Sequence, residues 1–168
     1  MNQALNSESA VDVETRASDD HHQALRLWLR LLACTGLIES EIRSRLRSEF
    51  GTTLPRFDLM AQLERHPSGL RMTELSRRMM VTSGNITGIT DQLVNEGLVR
   101  RDADASDRRA FVVKLTPAGR RVFDRMAAAH EGWIVELFAG LGPVDMQRTY
   151  ALLAKLKTHV AATQASDS

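Results

Sequence analysis

Residues 98–116 read LVRRDADASDRRAFVVKLT, and this stretch decides the fold. Two strand-like runs, Leu98–Val99 and Phe111–Leu115, flank a polar loop over 102–109 that carries arginines at its tip. Charged groups are costly to bury, so such a tip is not part of a core. A hairpin of this kind is typical of a finger that lies along an anionic polymer.

The segment before the hairpin, residues 75–97, predicts two helices joined by a tight turn. Thr82 is a suitable N-cap for the second helix, and Gly97 is a suitable end for it. In that second helix Ile86, Ile89 and Leu93 share one face, which we expect to pack inward. A helix-turn-helix followed by a β-hairpin is the layout of a winged-helix DNA-binding domain.

Five short motifs surround this layout, and together they resemble the MarR (multiple antibiotic resistance regulator) family. They are LPRF at 54–57, TEL at 73–75, GLV at 97–99, DRR at 107–109 and LTPAG at 115–119. The resemblance runs in order from about Trp28 to Leu156. It implies a transcriptional regulator, usually a homodimeric repressor released by a small ligand.

The predicted organisation follows from the helical periodicity of the rest of the chain. Residues 1–18 are small, polar and acidic, and we expect a disordered arm there, with a second loose end over 163–168. Residues 19–168 are expected to form one regulator domain, mainly α with a small β-hairpin wing. Helices over 20–50 and 117–162 would form the dimer interface, and 55–116 the DNA-binding part. The first half of the 20–50 helix is apolar on more than one side, so a partner subunit is the natural cover.

The charge distribution favours a nucleic-acid partner for the winged part. The whole chain has a formal net charge of only +1, but residues 71–121 hold ten basic and six acidic residues. Residues 1–25 hold one basic and five acidic residues. A basic excess concentrated on one segment is an electrostatic footprint for DNA. No apolar run approaches the ~18–20 residues needed to cross a membrane, and the N-terminus does not read as a signal peptide, so we expect a cytoplasmic protein.

The outward face of the second helix is small and polar, which suits a major groove about 12 Å wide. We expect Asn85 and Gln92 to hydrogen-bond adenine edges and Thr87 to contact thymine or phosphate. Asp91 is expected to orient a neighbouring cation. The full set of DNA contacts predicted on this helix is Ser83, Gly84, Asn85, Thr87, Gly88 and Gln92.

Two glycines on that face require an explanation, since each costs roughly 1 kcal/mol relative to alanine inside a helix. Gly84 and Gly88 lie four residues apart, so they share a face. Close approach of the backbone to DNA would explain them. The alternatives are a tolerated weak spot or close packing of another helix. The family often has arginine where Gly88 stands, so base readout is expected to differ here. It usually has glycine where Met80 stands, which leaves the exact geometry of the turn open but not its existence.

The resemblance also assigns roles to the arginines around the wing. One of Arg108 and Arg109 would enter the minor groove, where narrow A/T tracts attract cations, while the other pairs with Asp107. Phosphate contacts are expected from four further arginines, for which a solvated surface is the alternative: Arg77, Arg78, Arg100 and Arg101.

For the effector, the segments RSRLR at 43–47, GTTLPRFD at 51–58 and TSGNITGITDQL at 82–93 look closest to regulators of hydroxycinnamate or other aromatic-acid catabolism. We therefore expect a small aromatic acid or its coenzyme A thioester. Trp28 and Phe57 are expected to stack on the ring and Arg43 to bind the anionic group. The alternate arginines of this segment, Arg43, Arg45 and Arg47, could meet carboxylate or phosphate groups, and the alternative for them is a solvated helix face.

Other functions have less support in the sequence. Cys34 has apolar neighbours, which disfavour a thiolate, so we expect buried packing rather than a peroxide sensor. The histidines lack metal-site spacing, and we expect no metal, no cofactor and no catalytic residue. A winged helix that binds proteins and ignores DNA is the remaining alternative.

Overall fold

The computed structural model describes residues 22–80, 82–104, 107 and 110–166. Described helices are α1 (Gln23–Phe50), α2 (Leu54–Glu64), α3 (Met72–Met79), α4 (Ser83–Asn95), α5 (Pro117–Leu137) and α6 (Pro143–Ser166). The strands β1 (Leu70–Arg71), β2 (Val99–Ala103) and β3 (Phe111–Leu115) form an antiparallel sheet in the order β1-β3-β2. The predicted fold class, mainly α with a small β wing, is confirmed.

Local signals explain where several helices begin and end. Gly51 follows α1 with φ 61°, in the left-handed region that glycine adopts without steric cost. The hydroxyl of Thr82 accepts a hydrogen bond from the Asn85 amide, as predicted for the N-cap of α4. Met80 follows α3 with φ 53°, so a methionine takes the left-handed turn position.

The start of α5 is fastened to the start of the wing by the LTPAG motif. The Thr116 hydroxyl accepts from the Gly119 amide at 2.9 Å and donates to the Gly97 carbonyl at 2.7 Å. A Cβ on Gly119 would lie 1.8 Å from the Leu98 carbonyl oxygen. Only glycine allows this contact, so the motif fixes α5 against the base of the hairpin.

The chain forms two compact units, one within Met1–Ala127 and one within Ala128–Ser168. In the first unit, side chains from α1, α2, α3, α4 and the sheet are completely or almost completely buried, among them Leu46, Leu59, Leu75, Leu93 and Val113. The rings of Phe57 and Phe123 stack with centroids 5.6 Å apart. In the second unit, Trp133 packs edge-on to His130, and burial lowers the pKa of that histidine.

Several sequence predictions need correction. β1 was not predicted, β2 extends to Ala103, within the stretch predicted as loop, and α6 continues to Ser166, past the predicted loose end. Cys34 is exposed in the single chain, not buried. Its apolar sequence neighbours lie around several sides of one helix and do not cover it. The predicted disordered arm lies outside the described residues.

Candidate nucleic-acid interface

The helix α4 has one buried and one exposed face, as its sequence predicts. Ile86, Ile89 and Leu93 are buried. Thr90 is also buried, and its hydroxyl donates to the Ile86 carbonyl at 2.8 Å, so its polar group is satisfied within the helix. The exposed side is formed by the small and polar residues Gly84, Asn85, Thr87, Gly88 and Gln92. Ser83 is the first residue of the helix.

The two glycines of α4 face open space. A Cβ built at Gly84 or at Gly88 would meet no described atom within 4 Å. Close packing of another helix of this chain therefore does not explain them. Two explanations remain: a tolerated weak spot, or close approach of a molecule outside the chain.

The wing is attached to α4 by an ion pair. Arg101 on β2 donates to Asp91 on α4 at 2.5 Å. This confirms the prediction that Asp91 orients a neighbouring cation. On the same hairpin, Asp102 lies 3.1 Å from Arg100 and 3.3 Å from Lys114.

A second ion pair joins β1 to the far end of β2. Arg71 Nε donates to Asp104 at 2.6 Å, and this hydrogen bond raises the pKa of Arg71 above its ordinary value. Asp107 is exposed. Arg108 and Arg109, the predicted minor-groove residues, lie outside the described residues. Arg77 and Arg78 are exposed in the last turn of α3, where cations suit the helix dipole.

The three residues predicted for the effector do not meet within one chain. Phe57 belongs to the core and stacks on Phe123. Trp28 is exposed on α1, about 22 Å along the helix axis from Arg43 at ~1.5 Å per residue. Arg43 pairs with Glu39 at 2.6 Å and lines a cavity next to α4.

Two further arginines lie near Arg43: Arg47, which the sequence already offered as an anion-binding residue, and Arg56, to which the sequence assigned no role. Arg47 lies one turn further along α1 and lines the same cavity. Arg56, at the start of α2, also lines it and pairs with Glu96 after the end of α4. Burial raises the pKa of Asp58 on α2, with a smaller contribution from Glu39. The RSRLR and LPRFD segments hold these residues, but their sequences do not show that they meet.

Two other kinds of feature, a metal site and a membrane-spanning helix, are absent from the described part of the chain. Its histidines, cysteine and carboxylates form no group of three or more that could hold a metal ion. None of its helices is long and apolar enough to span a bilayer.

Comparison with known proteins assigns this arrangement to a family. The model of the MarR family matches residues 52–111, from just before α2 to the first residue of β3. The chain is similar to a solved MarR family transcriptional regulator from Silicibacter pomeroyi, with 36% identity and a TM-score of 0.72. The match covers 85% of this chain and 99% of that one. The chain belongs to the MarR family.

Two further relatives add to this assignment. A MarR family transcriptional regulator from Streptomyces coelicolor, solved in complex with DNA, is 25% identical, with a TM-score of 0.68 and coverage of 79% of this chain and 83% of that one. The transcriptional activatory protein BadR of Rhodopseudomonas palustris is 29% identical over 62% of this chain and 60% of its own length. The match spans about three fifths of the length of BadR and of one further curated relative, a transcriptional regulator of Bacillus subtilis. The relatives are transcriptional regulators, which confirms the prediction that it is not an enzyme.

Proposed function

We propose that this chain is a homodimeric repressor that binds an inverted-repeat operator. The observation that carries the proposal is the exposed small and polar face of α4 beside a wing that Asp91 and Arg101 attach to it. α4 enters the major groove, where Asn85 and Gln92 read base edges and Thr87 contacts a base or phosphate. Arg100 and Arg101 bind phosphate, as do Arg77 and Arg78.

The wing tip supplies the second part of the readout. Arg108 or Arg109 enters the minor groove, and the other arginine pairs with Asp107 to stiffen the loop. A neighbour of this fold was solved in complex with DNA, which supports DNA binding by the fold. Variants at the wing tip are then expected to relax an A/T preference beneath the wing. Asn85→Ala changes instead which operator base pairs are tolerated.

The homodimer is supported by apolar side chains that the single chain leaves exposed. On α1, Leu27, Trp28 and Leu37 are 55%, 55% and 73% exposed. On α6, Tyr150 and Leu152 are 77% and 67% exposed. Exposed apolar patches of this kind mark sites of association with another protein. The same association would cover Cys34, which lies among these residues on α1.

The regulated state is proposed to be ligand-controlled. A small aromatic acid or its coenzyme A thioester lowers operator affinity, and Arg43 contributes to the anion site. By reciprocity, the operator then lowers effector affinity by the same factor. One relative is named as an activator. A transcriptional reporter fused to the chain's own promoter therefore tests whether this chain represses or activates transcription.

Operator binding is tested by mobility shift with the chain's own promoter DNA across a salt series. Affinity is expected to fall steeply between about 50 and 200 mM salt, because phosphate neutralisation releases counterions. Binding indifferent to salt, or no binding at all, would favour the winged-helix module that contacts only proteins. A Cys34→Ser variant whose operator release by peroxide differs from wild type would favour a peroxide sensor instead.

A further inference from the structure

The turn between α3 and α4 holds a methionine in a backbone conformation that disfavours it. Met80 has φ 53° and ψ 37°, and within the described part of the chain it is the only residue other than glycine with a positive φ. In this left-handed region a Cβ crowds the following carbonyl oxygen, so glycine is the usual residue there. The Met80 amide donates to the Arg77 carbonyl at 3.3 Å. The hydrogen bond that closes the turn therefore comes from the backbone of Met80, which glycine would supply equally well.

The side chain of Met80 does not contribute to the core. It is 93% exposed, the highest value among the exposed large apolar side chains of the described residues. On the two helices that the turn joins, Leu75, Ile86 and Leu93 are buried. A residue held in an unfavourable backbone conformation is a reason to look for a function at that place. Because the fold does not use this side chain, its use lies outside the chain.

Met80 lies between two groups of residues that the proposed function assigns to DNA. Arg77 and Arg78, in the last turn of α3, are exposed and are assigned to phosphate. On the other side, Ser83 is the first residue of α4. Three residues of chain span at most about 11 Å, which limits the distance between the Cα atoms of Met80 and Ser83. The exposed methionine is therefore next to the N-terminal end of the helix assigned to the major groove.

The exposed face of α4 has no large apolar side chain of its own. Its residues are glycines, amides and one threonine, and only Thr87 among them carries a methyl group. Among the described residues of 72–95, Met80 is the only large apolar side chain that is exposed. The major groove presents one apolar group, the C5-methyl of thymine. A methionine side chain is flexible and polarisable and has no donor, so it suits that methyl group better than a polar base edge.

We propose that Met80 contacts a thymine methyl group in each half-site and so contributes to operator specificity. This rests on the proposed function and adds an apolar base contact to the polar contacts of α4. The left-handed backbone keeps the side chain outside the core, beside the N-terminal end of α4. The thymine therefore lies beyond the base pairs that Asn85 contacts, on the side of that N-terminal end. The unfavourable conformation of Met80 is retained because glycine would lack the contact.

The contact is tested with operator DNA in which thymines are replaced by uracil, one position at a time. Uracil keeps the hydrogen-bonding groups of thymine and lacks only the methyl group. At one position in each half-site, the wild type is expected to bind the uracil operator about fourfold more weakly, which corresponds to about 0.8 kcal/mol for one buried carbon group. Mobility shift at fixed salt measures the ratio for each position.

Two variants at position 80 separate the side chain from the turn. Met80→Asn is expected to lose the discrimination between thymine and uracil, because asparagine tolerates the left-handed region and has no apolar end. Met80→Leu, which keeps an apolar side chain of similar size, is the matched control and is expected to retain most of the discrimination. Retention of the full ratio by Met80→Asn would overturn the proposal.

Met80→Gly adds a measurement that a purely structural role would not explain. Its Tm is expected to rise by roughly 2–4 °C, since glycine takes the left-handed position without steric cost. Its affinity for the unmodified operator is nevertheless expected to fall about fourfold per half-site, to the value that the wild type has for the uracil operator. A stabilised variant that binds the unmodified operator as tightly as the wild type would overturn the proposal.

The remaining outcomes separate this inference from the proposed function. If the wild type binds promoter DNA and no uracil position depends on residue 80, the inference is overturned and the regulator assignment survives. If Met80→Asn weakens binding to thymine and uracil operators equally, the side chain packs on the sugar-phosphate backbone and the thymine contact is wrong. If the wild type binds no promoter DNA, the proposed function fails and this inference fails with it.

Discussion

The winged-helix region buries its large apolar side chains within the chain, whereas the helix α6 leaves several of its own exposed. Within residues 54–115, Leu59, Leu75 and Val113 are completely buried by other elements of the same chain. On α6, Tyr150 is 77% exposed and Leu152 67% exposed. Burial of apolar area is the main favourable contribution to folding and to association. The winged-helix region is therefore complete in one chain, whereas α6 leaves the apolar surface on which the proposed dimer depends.

Ion pairs show the same contrast. In the first unit, Arg120 reaches Glu64 at 2.9 Å and Arg71 reaches Asp104 at 2.6 Å, each pair joining elements distant in sequence. The pair on α6, Arg148 with Asp145, is local and 4.0 Å apart. Exposed pairs contribute only about 0–1 kcal/mol. The first unit also has local pairs, Arg43 with Glu39 and Arg45 with Glu41, so what distinguishes it is the presence of pairs that join separate elements.

The largest expected effect comes from a charge on the apolar surface of α6. Leu153→Glu would bury an unpaired carboxylate in the proposed dimer, at a cost of roughly 3–5 kcal/mol. Dimerisation and operator binding are expected to be lost together, although Leu153 is remote in sequence from the winged-helix region. Sedimentation measures dimerisation, and mobility shift measures operator binding. Gln147→Glu, the same charge change at an exposed polar position of α6, serves as the control. A Leu153→Glu monomer that binds the operator with wild-type affinity would contradict the proposed dimer.

The next effect concerns the joint between the wing and α5. Gly119→Ala would place a Cβ 1.8 Å from the Leu98 carbonyl oxygen. Relieving that overlap requires a backbone shift, at about 1–3 kcal/mol of unfolding free energy. Gly132→Ala on the same helix meets no atom within 4 Å and is the matched control. Denaturant unfolding of both variants checks the prediction, and equal stability of the two would refute the close contact.

The same joint illustrates what the sequence predicts and what it leaves open. Periodicity and capping residues are local signals, so the bounds of α4, from the Thr82 cap to Gly97, were predicted to within a residue or so. The LTPAG motif identified the region, but its reason is the position of the Leu98 carbonyl, which sequence spacing does not give. β1 is only two residues long and exists because Leu70 pairs with Val113, a contact that local patterns do not encode.

The candidate site also combines features that the sequence predicts with features that it does not. The inward and outward faces of α4 follow from 3.6-residue periodicity, and the Asp91 partner from the placement of the wing beside it. The cavity near Arg47 brings together segments about 40 residues apart, so no window of sequence contains it. Cys34 was assigned to a core from its sequence neighbours, whereas burial on a long helix depends on what covers each side.

A smaller effect is expected from alanine at the two α4 glycines. Stability and operator affinity are expected to change in opposite directions. Gly84→Ala and Gly88→Ala are expected to raise stability by roughly 1 kcal/mol each, because their Cβ atoms enter open space in a helix. Operator affinity is expected to fall if the backbone approaches DNA there. Gly132→Ala is expected to raise stability and leave operator affinity unchanged. Variants at 84 and 88 that gain stability at full affinity would assign these glycines to a tolerated weak spot.

The smallest expected effect concerns Arg101 on the wing. It distinguishes a phosphate contact by this arginine from positioning of the wing by its pair with Asp91. Arg101→Gln removes both the proposed phosphate contact and the pair with Asp91, so the salt slope of operator binding is expected to decrease by about one. Asp91→Asn breaks the same pair but keeps the arginine charge, so the slope is expected to stay and affinity to fall only modestly. Both variants are expected to unfold within about 1 kcal/mol of the wild type, since the pair is half-exposed. Mobility shifts over a salt series measure the slopes. Equal loss of slope in both variants would mean that Arg101 reaches phosphate only when Asp91 holds it, whereas an unchanged slope in Arg101→Gln would remove it from the DNA contacts.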